Sequence, residues 1–153
     1  MSQFFLLLVI LVIAHSCQPT PTTLDSDDWE TDAARIVALE QEIITASPLQ
    51  QAEFELFNVN GFGQHSTSLP GASSWDYKVA LKVDSSAIDQ WTAEFRPVPS
   101  LAENLDWMDS ITQQRKKQWL HNSSPEFFIR ENMAVYMIVY RKEGLIFKSI
   151  TAN

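Results

Sequence analysis

Nine consecutive residues, 75–83, alternate without a fault. Trp75, Tyr77, Val79, Leu81 and Val83 fall on one side, and Asp76, Lys78, Ala80 and Lys82 on the other. A side-chain period of two is the signature of a strand, and an apolar side set against a polar one predicts an antiparallel strand with one face on a core. Residues 133–141 (MAVYMIVYR) are almost continuously apolar and predict a central strand. Lys142, Glu143 and Gly144 then predict a tight hairpin, with Gly144 at the position that needs positive φ, leading into a third strand over 145–151. Residues 52–59, where Phe54 and Leu56 alternate with Glu53 and Glu55, and residues 126–131 supply two more strands.

Helical patterns lie between these strands. From Trp29, the residues Ala33, Ile36, Val37, Leu39, Ile43 and Ile44 fall on one arc of a helix that Pro48 closes. Asp84 predicts the cap of a short helix carrying Ile88, Trp91 and Phe95, which Pro97 and Pro99 stop. Ser100 and Glu103 fit a capping box that opens a third helix with Leu105, Met108 and Ile111, reaching towards Trp119. The order implies an α+β fold: an antiparallel sheet of about five strands with helices packed mainly on one face. On the central strand Ala134, Tyr136, Ile138 and Tyr140 share a side, and Ile146 and Ile150 are expected beside them. Left bare, that second face would be an interaction patch; beneath another helix it would be ordinary core.

The N-terminus carries a different kind of signal. Residues 4–14 (FFLLLVILVIA) are apolar without a break, too short for a membrane span of ~20 residues and the right length for the core of a signal peptide. Ala14, His15 and Ser16 precede Cys17, the one cysteine of the chain. A small residue directly before that cysteine resembles the lipobox of bacterial lipoproteins. The resemblance covers residues 1–17 and implies cleavage before Cys17 and diacylglycerol on its thiol. Two acyl chains satisfy the two-signal requirement for stable anchoring. A secreted form or an uncleaved anchor are the alternatives. Residues 18–28 (QPTPTTLDSDD), rich in Pro, Thr and Asp, read as a disordered tether. The expected organisation is a signal peptide over 1–16, lipidated cysteine and tether over 17–28, and one globular domain over 29–153.

Chemistry is harder to find. With one cysteine the chain has no intrachain disulfide, CxxC pair or Cys-rich zinc site. His65 and His121 have no metal-ligand spacing, there is no GxSxG elbow, and no cofactor motif occurs; Gly61-Phe62-Gly63 lacks the third glycine of a dinucleotide fingerprint. The net charge of −8 argues against nucleic acid, which needs a basic surface. Candidate interaction residues are Phe62 and His65, in a Gly- and Ser-rich loop over 60–74, Tyr136 and Tyr140 on the second sheet face, and Glu40, which falls inside the apolar arc of the first helix. Glu40 is either an edge carboxylate or a buried one with a raised pKa. The expected function is a small lipid-anchored lipoprotein on the extracytoplasmic side of the cell envelope, non-enzymatic, binding another macromolecule in an inhibitor, immunity or envelope-associated role. An acidic chain suits a protein partner with a basic surface. The alternative is a small-ligand carrier or hydrolase with a pocket between sheet and helix.

Replacing Cys17 tests the anchor. The Cys17→Ser variant is expected to lose acyl mass and to accumulate uncleaved or mislocalised, read by intact-mass measurement of membrane and soluble fractions. Wild-type processing of that variant would overturn the lipoprotein reading.

Overall fold

The computed structural model of the chain describes residues 20–63, 74–130 and 134–152. Its centre is a seven-stranded sheet, antiparallel at every pairing. In chain order the strands are β1 (Thr23–Asp25), β2 (Leu49–Asn58), β3 (Trp75–Val83), β4 (Arg96–Val98), β5 (Glu126–Arg130), β6 (Ala134–Tyr140) and β7 (Leu145–Ala152). Across the sheet they run β1-β2-β3-β7-β6-β5-β4, so the last strand in sequence is the middle one in space. Among the described residues three α-helices accompany them: α1 (Asp32–Glu40), α2 (Ile88–Thr92) and α3 (Asp106–Ile111).

The α+β class is as expected, but the sheet has seven strands, not five, and dominates the fold. Both additional strands are three residues long and sit at the edges. β1 comes from the segment whose composition reads as tether. Thr23, Leu24 and Asp25 pair with Phe57, Leu56 and Glu55, and Ser26–Asp28 follow as a 3₁₀ turn capped by Asp25. β4 contains Pro97, whose missing N–H an edge strand tolerates.

The helices are not mainly on one face. Phe54, Val79, Leu81, Met137, Val139 and Ile146 point to one side of the sheet, where they meet Leu39 of α1 and Ile88 and Trp91 of α2. Ala80, Ile138, Tyr140, Leu145 and Phe147 point to the other, where they meet Ile111 of α3 and Trp119. Trp119 ends a stretch of 3₁₀ turns, Gln113–Trp119, kinked at Arg115 (φ −124°, ψ 31°). The second face is therefore core. Its membership on β7 also differs from expectation: Tyr140 pairs with Leu145 and Ile138 with Phe147, which sends Ile146 and Ile150 to the opposite side. A one-residue change of register exchanges the faces of a whole strand, and in an apolar strand such as β7 the alternation that would reveal it is weak.

Local signals explain the element ends. Thr31 caps α1 by accepting the Ala34 N–H at 3.2 Å, and Asp84 accepts the Ser86 N–H at 2.9 Å at the turn before α2. Gly144, at φ +67°, closes the β6–β7 hairpin, as its position in the sequence predicts; a Cβ there would lie 2.2 Å from the Val83 carbonyl oxygen. The long helix expected from Ser100 is shorter: α3 starts at Asp106, and Leu101 and Leu105 pack on the sheet from non-helical chain.

Leu81 is fully buried on the central part of the sheet. Leu81→Ala should destabilise the fold by ~2–5 kcal/mol, measured as a shift in urea midpoint at constant slope. A loss below about half a kcal/mol would mean that this strand face does not form core.

Candidate functional site

Of the sequence-derived candidates, Cys17 and His65 lie outside the described residues. Phe62 is buried, with its ring 6.0 Å from that of Tyr77, so its side chain belongs to the core. Glu40 is exposed at the end of α1, an edge carboxylate. Tyr136 and Tyr140 share the face covered by α3, but they part company there. The Tyr136 hydroxyl accepts the Trp107 indole N–H at 3.0 Å. Tyr140 turns to an open pocket of about 370 Å³ between α3, the 3₁₀ turns and the sheet.

That pocket is built from β6, β7 and the chain that leaves the 3₁₀ turns. Trp119, Tyr140 and Phe147 form an aromatic floor. His121 lies against Tyr140, with ring centroids 3.7 Å apart and planes inclined by 32°. Its Nδ1 is 3.2 Å from the Trp119 carbonyl oxygen. The hairpin holds this arrangement in place. Glu143 reaches from the β6–β7 turn to accept the backbone N–H groups of Asn122 and Ser123, at 2.9 and 3.0 Å, and the Ser123 hydroxyl. These hydrogen bonds depress the Glu143 carboxyl to about 2, the Ser123 hydroxyl contributing most. Asp106, Asp109 and Lys116, all exposed, also line the pocket. The Tyr140 hydroxyl is pushed upward, first by burial and then by the negative fields of Asp109 and Glu143. Leu120, 64 % exposed, forms an apolar lip. The Trp119 indole N–H is buried and has no acceptor among the described residues.

A second polar constellation is buried rather than open. Glu53, 1 % exposed on β2, receives Arg115 in two-pronged fashion: Nη2 donates to Oε2 at 2.6 Å and Nε donates to Oε1. The Ser26 hydroxyl donates to the same Oε2 at 2.8 Å, and Arg115 Nη2 also reaches Asp27 at 2.6 Å. Arg35, 2 % exposed, lies 3.9 Å from Glu53 and donates to the carbonyls of Ala52 (3.2 Å) and Trp29 (2.9 Å) and to Asp32. The Arg115 guanidinium is held above its usual range, chiefly by its hydrogen bond to Glu53. Both Glu53 carboxylate oxygens and all three Arg35 guanidinium nitrogens have protein partners, which suits the cluster to hold the fold together rather than to turn over a substrate. Among the described residues, no group of three or more His, Cys, Asp and Glu side chains is placed to hold a metal, and no helix is long and apolar enough to cross a membrane.

Sequence reasoning passed over the residues that matter most here. Glu53 alternates with Phe54 as a solvent-facing strand residue would, and Arg115 stands in a local run of cations, Arg115-Lys116-Lys117. Their pairing spans 62 positions and leaves no local trace. The signal available for His121 was its place beside Trp119 and Leu120, an aromatic and apolar cluster where a helix ends.

Removing Arg115 should leave Glu53 buried with its charge unmet. Arg115→Met is expected to cost ~3–5 kcal/mol, and the double variant Arg115→Met/Glu53→Leu to recover much of it, in a double-mutant cycle by chemical denaturation. Equal losses in the single and double variants would show that the pair does not couple.

Comparison of the chain with family models, with curated proteins and with solved structures finds no match.

Proposed function

We propose that this is a small lipid-anchored protein of the cell envelope, held on the extracytoplasmic side through Cys17, whose domain binds a basic protein partner without catalysing a reaction. The inhibitor, immunity and envelope-associated roles all fit that description. The observation that carries the reading is the His121–Tyr140 pocket: an aromatic floor and an apolar lip under carboxylates. An aromatic anchor ringed by charge is the usual anatomy of a protein interface centre. A Lys or Arg side chain entering it would meet the face of Tyr140 or Trp119 and the field of Asp106, Asp109 and Glu143. The chain's net charge of −8 would speed the approach of such a partner. From Cys17 to Thr23, where β1 begins, the chain spans at most ~20 Å, so an acylated cysteine would keep the domain close to the lipid surface.

The small-ligand alternative draws on the same pocket, which lies between a helix and the sheet and is lined by Trp119, Tyr140, His121 and Phe147.

The double variant Asp106→Asn/Asp109→Asn separates the two. Both side chains are exposed, so the fold should keep its melting temperature. Capture of the partner from solubilised membranes should fall by about tenfold at low salt, and wild-type capture should weaken as salt rises. Capture that ignores both the charges and the salt would overturn a basic partner at this pocket.

A further inference from the structure

The opposite face of the sheet carries an anomaly that the function proposed above does not use. The row that crosses the sheet there runs Phe54, Val79, Lys148, Met137, Phe128. A lysine stands in the central strand, in line with core side chains. Its ammonium lies 5.6 Å from the ring centroid of Phe95, and the Arg130 guanidinium lies 4.7 Å from the same ring. Arg130 is paired with Glu94 at its outer side. Among the described residues Lys148 has no carboxylate within 4 Å and no hydrogen-bond acceptor. Partial burial of an ammonium is unfavourable, and burial first and then the neighbouring Arg130 depress the Lys148 pKa, against the opposing field of Glu94.

This cation opens on a cleft of about 640 Å³ between the sheet and α2. Trp91 and Phe95 supply apolar walls, and Ile44, 96 % exposed, stands at the mouth. Glu42 and Glu94 also face the cleft. Arg130 is already balanced by Glu94, so Lys148 is the cation left to receive a ligand, and the glutamates would repel a dianion more than a single negative charge. The apolar walls call for a hydrocarbon or aromatic body behind that charge.

We propose that this cleft binds a small apolar monocarboxylate, its carboxylate on Lys148 and Arg130 and its apolar body against Trp91, Phe95 and Ile44. The ligand would supply the acceptor that Lys148 lacks among the described residues. The site lies on the other face of the sheet from the His121–Tyr140 pocket and stands or falls independently of it.

Benzoate is a suitable probe, followed by amide and indole chemical shifts of the full chain. Trp91 offers a reporter within the cleft, its indole N–H being held by the Ser47 hydroxyl at 2.8 Å. Benzoate should shift these signals saturably, with a Kd at or below about 10 mM. Lys148→Met removes the charge while keeping most of the unbranched side chain and should weaken binding about tenfold or more. Arg130→Gln, at the cleft rim, should weaken it in the same direction and serves if Lys148→Met fails to fold. Benzyl alcohol, with the same ring and no charge, should bind more weakly than benzoate, and inorganic phosphate should not displace benzoate. The proposal is overturned if benzoate fails to saturate, if benzyl alcohol binds as well, or if phosphate competes. Wild-type affinity in the folded charge variants would overturn it equally.

Discussion

The salt bridge between Glu53 and Arg115 gathers four distant parts of the chain at one buried point. Glu53 sits on β2, beside the sheet edge; Arg115 sits at the kink of the 3₁₀ turns that cover the second sheet face. Through Ser26 and Asp27 the same cluster gathers the turn after β1, and through Arg35 it gathers α1. A buried ion pair is weak evidence of net stability, because desolvation of both ions offsets their attraction. Its value lies in direction. An apolar patch would let the 3₁₀ turns slide over the sheet, whereas a forked guanidinium on a carboxylate accepts one geometry. The kink at Arg115 lies where that geometry is imposed. The turns place Trp119 and the chain that leads to His121, so the position of the aromatic pocket is set in part by a contact on the far side of the same cap.

Covering both sheet faces has a cost for function as well as a benefit for stability. A sheet with one bare face offers a broad surface, as the apolar run of β6 suggested. Here Tyr136, Ile138 and Phe147 are spent on packing against α3 and Trp119, and what remains for recognition lies where the cover is incomplete. On one side this is the gap beyond α3, where His121 and Tyr140 stack. On the other it is the gap beside α2, a helix of five residues too short to roof the middle of the sheet. Lys148 stands under that opening.

Much of the scaffold was legible in the sequence because its signals are local. The alternation of residues 75–83 defines β3 to the residue, and Lys142-Glu143-Gly144 gives the hairpin between β6 and β7. The edge strands were missed because pairing with a longer neighbour, rather than any propensity of their own, makes them strands: Thr23–Asp25 has the composition of a tether and Arg96–Val98 contains proline. The face of β7 was misjudged because both of its faces are apolar over Leu145, Ile146 and Phe147, so burial on two sides erased the period-two signal. The candidate sites were less legible for a related reason. Glu53, Lys148 and His121 are ordinary residues in their local runs, and each acquires meaning from a partner contributed by a distant segment.

The two edge strands also bear on how the molecule behaves at high local concentration, as on a crowded surface. An open sheet presents unpaired backbone donors and acceptors along both borders, and a long flat border templates the addition of another chain. Here each border strand is only three residues long. β4 interrupts its row of donors with Pro97 and flanks it with Arg96, while β1 ends in Asp25 and turns at once into a run of acidic residues. Neighbouring copies would meet a missing N–H at one border and like charge at the other. Short borders of this kind offer another chain few backbone groups to pair with, so six residues at the margins of a wide sheet of apolar strands disfavour its growth by edge addition.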